Sequence, residues 1–274
     1  MLLRSWVALF FVACSSPTPS NDAGTSSDAG TDGGTATGGG TGGNGGGGGG
    51  GTTDAGPGEP TLSSSVLFRD DFDGYADLFA LRAEYPEIRE VGGVIALEKD
   101  GGSGALRVDY FTNDAGACGR SDVHVGKIVS GNVPTVMVTW KFLRPIGFTT
   151  CGDAGVEEDF ALDRPSTRTT FERSGDLWRV SAGTAVFAQH LRLGTHTPSQ
   201  LADGAWHRVT LLMTRQTTPS ITDGVVQAWV DGALIIDLTG ATGTAPFSLA
   251  TWPGGLWNET VQSRFVDDLA ISTP

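Results

Sequence analysis

The chain has 274 residues, with 18 Lys and Arg against 31 Asp and Glu, a formal charge of −13. That balance excludes nucleic acid as a partner, because phosphate contact needs clustered Lys and Arg. Of the 41 glycines, 18 fall between Ser15 and Pro60, a stretch with no Lys or Arg. Such a composition cannot bury enough apolar area to offset its backbone entropy, so it reads as a disordered linker.

Met1–Arg4 is a short basic start, and Trp6–Val12 is an apolar run too short to span a bilayer. Phe11-Val-Ala-Cys14, followed by Ser15-Ser16, resembles the lipobox of bacterial lipoproteins. The resemblance implies a signal peptide over residues 1–13, cleaved so that Cys14 is acylated and becomes the mature N-terminus. Two or three acyl chains make such anchoring stable where one is marginal. Ser15 beside the cysteine resembles the pattern sent to the outer membrane in many Gram-negative bacteria. The expectation is an exported lipoprotein at the outer membrane or cell surface, touching the membrane only through its lipid. An ordinary signal peptide cut nearby is the alternative. Residues 14–60 then form the lipidated cysteine and leash, spanning on the order of 40 Å as a coil and roughly 150 Å when stretched.

The remaining residues, Thr61–Pro274, read as one domain. A short helix is predicted near Tyr75–Glu84. Elsewhere apolar residues alternate at period two: Leu106, Val108 and Tyr110; Val136, Val138, Trp140 and Phe142; Val209, Leu211 and Met213; Val226, Ala228 and Val230. Each run has one apolar and one mixed face, as an antiparallel sandwich requires. Asp231-Gly232 suits a tight hairpin, since both residues tolerate positive φ. The fold class is all-β. Setting aside the lipid-bearing cysteine, Cys118 and Cys151 read as a disulfide in an oxidising compartment. Two unpaired buried thiols are the alternative.

Three late blocks carry a resemblance: Trp206-His-Arg-Val209, Gly224-Val-Val-Gln-Ala-Trp-Val-Asp-Gly232 and Phe265-Val-Asp-Asp-Leu-Ala-Ile-Ser272. With Phe68–Phe72 and Gly104–Tyr110 they resemble the concanavalin A-like jelly roll. Within it they are closest in pattern to bacterial alginate- and glucuronan-type polysaccharide lyases, and the first two blocks are similar to laminin-G-like modules. The resemblance implies two curved antiparallel sheets with sugar lying across the concave one.

On that expectation, Trp229 and Gln227 share the face opposite Val226, Ala228 and Val230, where an indole can stack on a pyranose ring. Thr139, Lys141 and Arg208 share polar strand faces, as do His190 and Arg192. Arg recognises uronate carboxylates through paired hydrogen bonds. The first reading is a cell-surface glycan-binding domain using Gln227, Trp229, Arg208, Thr139, His190 and Arg192. The second is a lyase cleaving uronate polysaccharide by β-elimination, with Lys141 or His190 as base and Arg192 neutralising the carboxylate. Structural or adhesive display is the third. Uronate lyases of this fold often take their acid from a late tyrosine, and no tyrosine follows Tyr110. Trp206 reads first as a core residue. No cofactor is required. Asp71 and Asp268, with neighbouring acids, are candidate ligands for the structural Ca²⁺ that related jelly rolls often hold.

Overall fold

The structure is a computed structural model. It describes residues 58–62, 65–100, 103–111, 118–129, 132–151, 156–164, 167–174, 176–182, 185–191, 196–240 and 242–274. Cys14, most of the linker and Arg192 lie outside them. One helix, α1 (Leu78–Glu84), and sixteen strands occur among the described residues. Asp77 caps α1 by accepting a hydrogen bond from the Ala80 amide at 2.9 Å, satisfying a donor the first turn leaves free. The helix thus starts three residues later than the sequence predicts.

The first sheet contains β1 (Ser65–Asp70), β3 (Gly93–Asp100), β4 (Ser103–Tyr110), β6 (Thr135–Leu143), β11 (Trp206–Thr214), β12 (Gly224–Val230), β13 (Ala233–Gly240) and β16 (Gln262–Thr273). Its order is β13-β12-β11-β6-β16-β4-β3, with β1 also paired to β16. The second contains β2 (Glu87–Val91), β5 (Gly119–Ile128), β7 (Val156–Arg164), β8 (Thr167–Ser174), β9 (Leu177–Ala182), β10 (Ala185–Leu191), β14 (Leu249–Trp252) and β15 (Gly255–Asn258). There β10, β9, β8 and β7 run in sequence, and the short β14 and β15 both pair with β7 and β5. Every pairing of these strands is antiparallel.

The period-two residues make the core. Leu106, Val108, Tyr110, Val136, Val138, Trp140, Phe142, Val209, Leu211, Met213, Val226, Ala228 and Val230 are all buried, and they meet Phe160, Phe171, Trp178, Val180 and Trp252 of the second sheet. Trp140 stacks on Phe160 with ring centroids 5.3 Å apart. Asp231 (φ 50°) and Gly232 (φ 81°) turn the β12–β13 hairpin in the left-handed region, as a type I′ turn demands. Cys118 and Cys151 are joined as a disulfide, 33 residues apart in sequence.

One end of the interior is charged. Arg144, Glu157, Asp159, Arg173 and Arg264 are each at most 4% exposed. Glu157 accepts hydrogen bonds from Arg144 Nε at 3.0 Å and Arg264 Nη1 at 2.7 Å, and lies against Arg173. Arg144 Nη2 grips both oxygens of Asp159 at 2.9 and 2.8 Å. Burial opposes ionisation of Glu157, but the guanidiniums of Arg144, Arg173 and Arg264 outweigh it and hold the carboxyl at about 2. For Asp159 burial wins over Arg144, and its carboxyl is pushed up. A register shift between Glu158 and Phe160 interrupts the alternation of β7 here, so adjacent residues escape the simple inside–outside rule.

Candidate functional site

The outward face of the first sheet is built from the residues between the core positions. Cross-strand register lines them up in rows. Trp206 pairs with Leu143, Leu143 with Phe265, and Phe265 with Arg107. The next row runs Arg208, Lys141, Asp267. A third joins Thr210, Thr139 and Ala270, with Arg69 beyond. Apolar, charged and hydroxyl rows therefore lie side by side on one surface.

Two cavities open on this face. One, of about 380 Å³, is lined by Glu98, Ser103, Gly104, Ala105, Leu143, Trp206, Phe265 and Asp267. Trp206 is 42% exposed there, which corrects its reading as a core residue: its even parity on β11 turns it away from Val209. Gly104 is fixed by close packing, because a Cβ at this position would lie 2.3 Å from the Phe72 carbonyl oxygen. The second cavity, of about 310 Å³, is lined by Leu62, Arg69, Thr139, Trp140, Lys141, Arg208, Asp268 and Ala270.

Asp267 and Asp268 line neighbouring cavities because β16 carries an irregularity between Asp267 and Ala270. Asp268 adopts φ 50° there, a conformation Asp accepts more readily than most residues. Lys141 Nζ pairs with Asp268 at 2.5 Å. Asp267 accepts a hydrogen bond from the Asp268 amide at 2.7 Å. Its carboxyl is pushed up to about 6, chiefly by burial and further by the charge of Asp268.

The structure divides the residues proposed from sequence. Thr139, Lys141, Arg208, Gln227 and Trp229 belong to strands of the first sheet, whereas His190 lies in β10, which pairs with β9 in the second. One shared surface for Trp229 and His190 is therefore wrong. Strand parity says which face a residue takes, not which sheet its strand joins. Trp229 stays outside the core cluster but is only 1% exposed, so it offers no stacking platform. Gln227 Nε2 donates to Asp237 across the hairpin at 2.8 Å.

The outward face of the second sheet is close-set. Ala161, Thr251, His124, Glu172, Thr170 and Ser181 are 0–7% exposed. His124 is held between Asp122 at 3.1 Å and Glu87 at 3.3 Å. Glu172 accepts from Arg179 and Ser181, both at 2.6 Å.

None of the three tyrosines is placed as a general acid on the outward face of the first sheet. Tyr75 and Tyr85 both donate to Asp70, at 2.6 and 2.7 Å, and Tyr110 is buried and donates to the Gly254 carbonyl at 3.3 Å. Burial raises all three phenols. Nor do the acids near the first and last strands fit a calcium ion. Asp71 caps its own turn through the Asp73 amide and Asp268 pairs with Lys141. The described acidic and sulfur ligands that do converge are Glu259 and the sulfurs of Cys118 and Cys151, which are spent in the disulfide.

No family model matches the sequence, and no curated protein does. Solved structures do match in shape. An endo-β-1,4-glucuronan lyase from the fungus Trichoderma reesei is 17% identical with a TM-score of 0.54, covering 77% of this chain and 96% of its own. The alginate lyase vAL-1 from Chlorella virus is 11% identical with a TM-score of 0.55, covering 76% and 100%. The alginate lyase Aly36B, solved with an alginate trisaccharide, is 13% identical with a TM-score of 0.54, covering 77% and 98%. At these identities the likeness carries architecture rather than activity. The described domain shares the antiparallel jelly-roll sandwich fold of these structures.

Proposed function

We propose that the domain is a glycan-binding module, displayed on its lipid tether at a bacterial surface, which holds a sugar chain across the outward face of the first sheet. The observation that carries this reading is the exposed indole of Trp206 beside Phe265 and Leu143, with Asp267 and Glu98 in the same cavity of about 380 Å³. An aromatic face offers the apolar contact that a pyranose ring needs, and carboxylates accept from its hydroxyls. Arg208, Lys141 and Thr139 continue the same surface. The solved structures similar in shape are glucuronan and alginate lyases, which favours a polysaccharide as the partner.

The late tyrosine that such lyases often use as acid is missing from this sequence, and its three tyrosines are committed elsewhere, which favours binding over cleavage. The test is a glycan array with the wild-type chain and Trp206→Ala. Truncating a central aromatic anchor costs about 1.5–2 kcal/mol, roughly ten- to thirtyfold in affinity. Undiminished binding by the alanine variant sinks the proposed surface. Growing ultraviolet absorbance from unsaturated ends, on incubation with alginate or glucuronan, would replace binding with catalysis.

A further inference from the structure

The segment Gly58–Leu62 lies on this same face. Glu59 accepts a hydrogen bond from Thr210 Oγ1 at 2.6 Å and pairs with Arg208. A Cβ at Gly232, in the β12–β13 turn, would stand 3.5 Å from Glu59 Oε2. Leu62 lines the cavity that also contains Arg208, Lys141 and Thr139. The side chain of Glu59 is 16% exposed and Thr210 is fully buried.

An arginine fork beside a buried hydroxyl donor is chemistry that suits a carboxylate. Here the carboxylate is supplied by the chain itself. Arg208 and Lys141 are paired across β11 and β6, but Lys141 is neutralised by Asp268, so Arg208 is the cation that meets Glu59. Glu59 sits six positions before the first strand, at the point where the leash joins the domain.

We infer that Arg208 and Thr210 form a carboxylate subsite of the glycan surface, and that Glu59 occupies it as an internal stand-in for the carboxylate of a sugar acid. The inference rests on the glycan-binding reading and deepens it, naming the ligand class as uronate-bearing chains. It also makes the leash a competitor. A tethered group acts at millimolar effective concentration, and a ligand pays in apparent affinity according to the fraction of time the subsite is open.

The test is titration calorimetry on the full chain with a glucuronate oligosaccharide and, separately, a neutral cello-oligosaccharide of equal length. Glu59→Gln is expected to tighten the acidic ligand at least tenfold and to leave the neutral one unchanged. The gain is expected to vanish in Glu59→Gln/Arg208→Gln. Equal affinity of the wild-type and Glu59→Gln chains, or a gain that persists without Arg208, overturns the subsite and leaves the glycan-binding reading standing. Failure of both chains to bind either ligand overturns the subsite together with that reading.

Discussion

Asp267 gives a stability test in which the sign is fixed before the measurement. Its carboxyl is raised from 3.8 to about 6, first by burial. The folded state therefore binds this proton more tightly than the unfolded chain. That contribution is fully present below about pH 4 and is lost as pH rises through 6. At pH 8 the ionised carboxylate stands against the fold. Each pKa unit corresponds to about 1.4 kcal/mol, so two units set an upper figure near 3 kcal/mol. Asp267 is only half-buried, and solvent screening reduces this to about 1 kcal/mol. Asp267→Asn keeps an oxygen for the Asp268 amide, 2.7 Å away, and removes the charge. It is expected to stabilise the chain at pH 8 by about 1 kcal/mol, or roughly 2–4 °C in Tm for a domain of this size. The gain should disappear at pH 4, where the native residue is already neutral. Urea unfolding at the two pH values decides the matter. A variant less stable than wild type at pH 8, or one with the same gain at both, refutes the reasoning. An ionised carboxylate retained at such a cost, in a cavity beside an exposed tryptophan, is a frequent mark of a binding site.

The disulfide and the buried charges supply two further expectations. Replacing Cys118 and Cys151 by Ser opens a closure of 33 residues, for which chain entropy predicts a loss of about 3.7 kcal/mol; a calorimetric loss below about 1 kcal/mol would contradict it. Glu157→Gln leaves three guanidiniums facing Asp159 alone, and breaking such a pair is expected to cost about 3–5 kcal/mol. In the wild type Glu157 is depressed to about 2, so its stabilisation is present above pH 4.5 and is lost as pH falls toward 2. Acid titration by circular dichroism should show that loss in the wild type and not in the variant.

Alternation was enough to place the core cluster, because its members on β4, β6, β11 and β12 sit two residues apart. Parity alone opposes Trp206 to Val209 and Trp229 to Val230, yet Trp206 reads as core from the fold pattern and Trp229 as a sugar platform, and the structure reverses both. What parity could not give was their fate outside: Trp206 is 42% exposed and Trp229 is 1% exposed, and the difference depends on what lies over each from distant parts of the chain. His190 failed for another reason. Its strand joins β9 rather than β6 or β12, a choice made by long-range pairing that leaves no trace in local periodicity. The buried charges were the least legible. Arg144, Arg173 and Arg264 lie on separate strands or their ends, each resembling an ordinary solvated residue, and only the closed sandwich brings them to Glu157. Glu59 reads as part of the leash, since its partners stand about 150 positions away.

The pairing of β1 with β16 sets Ser65 opposite Thr273. The domain is thus entered and left through neighbouring points. A short joint between them would close the fold into a ring with little distortion, and a new opening cut at the Asp231-Gly232 turn would leave every other strand pairing in place. A cargo fused after Thr273 would be carried beside the start of β1.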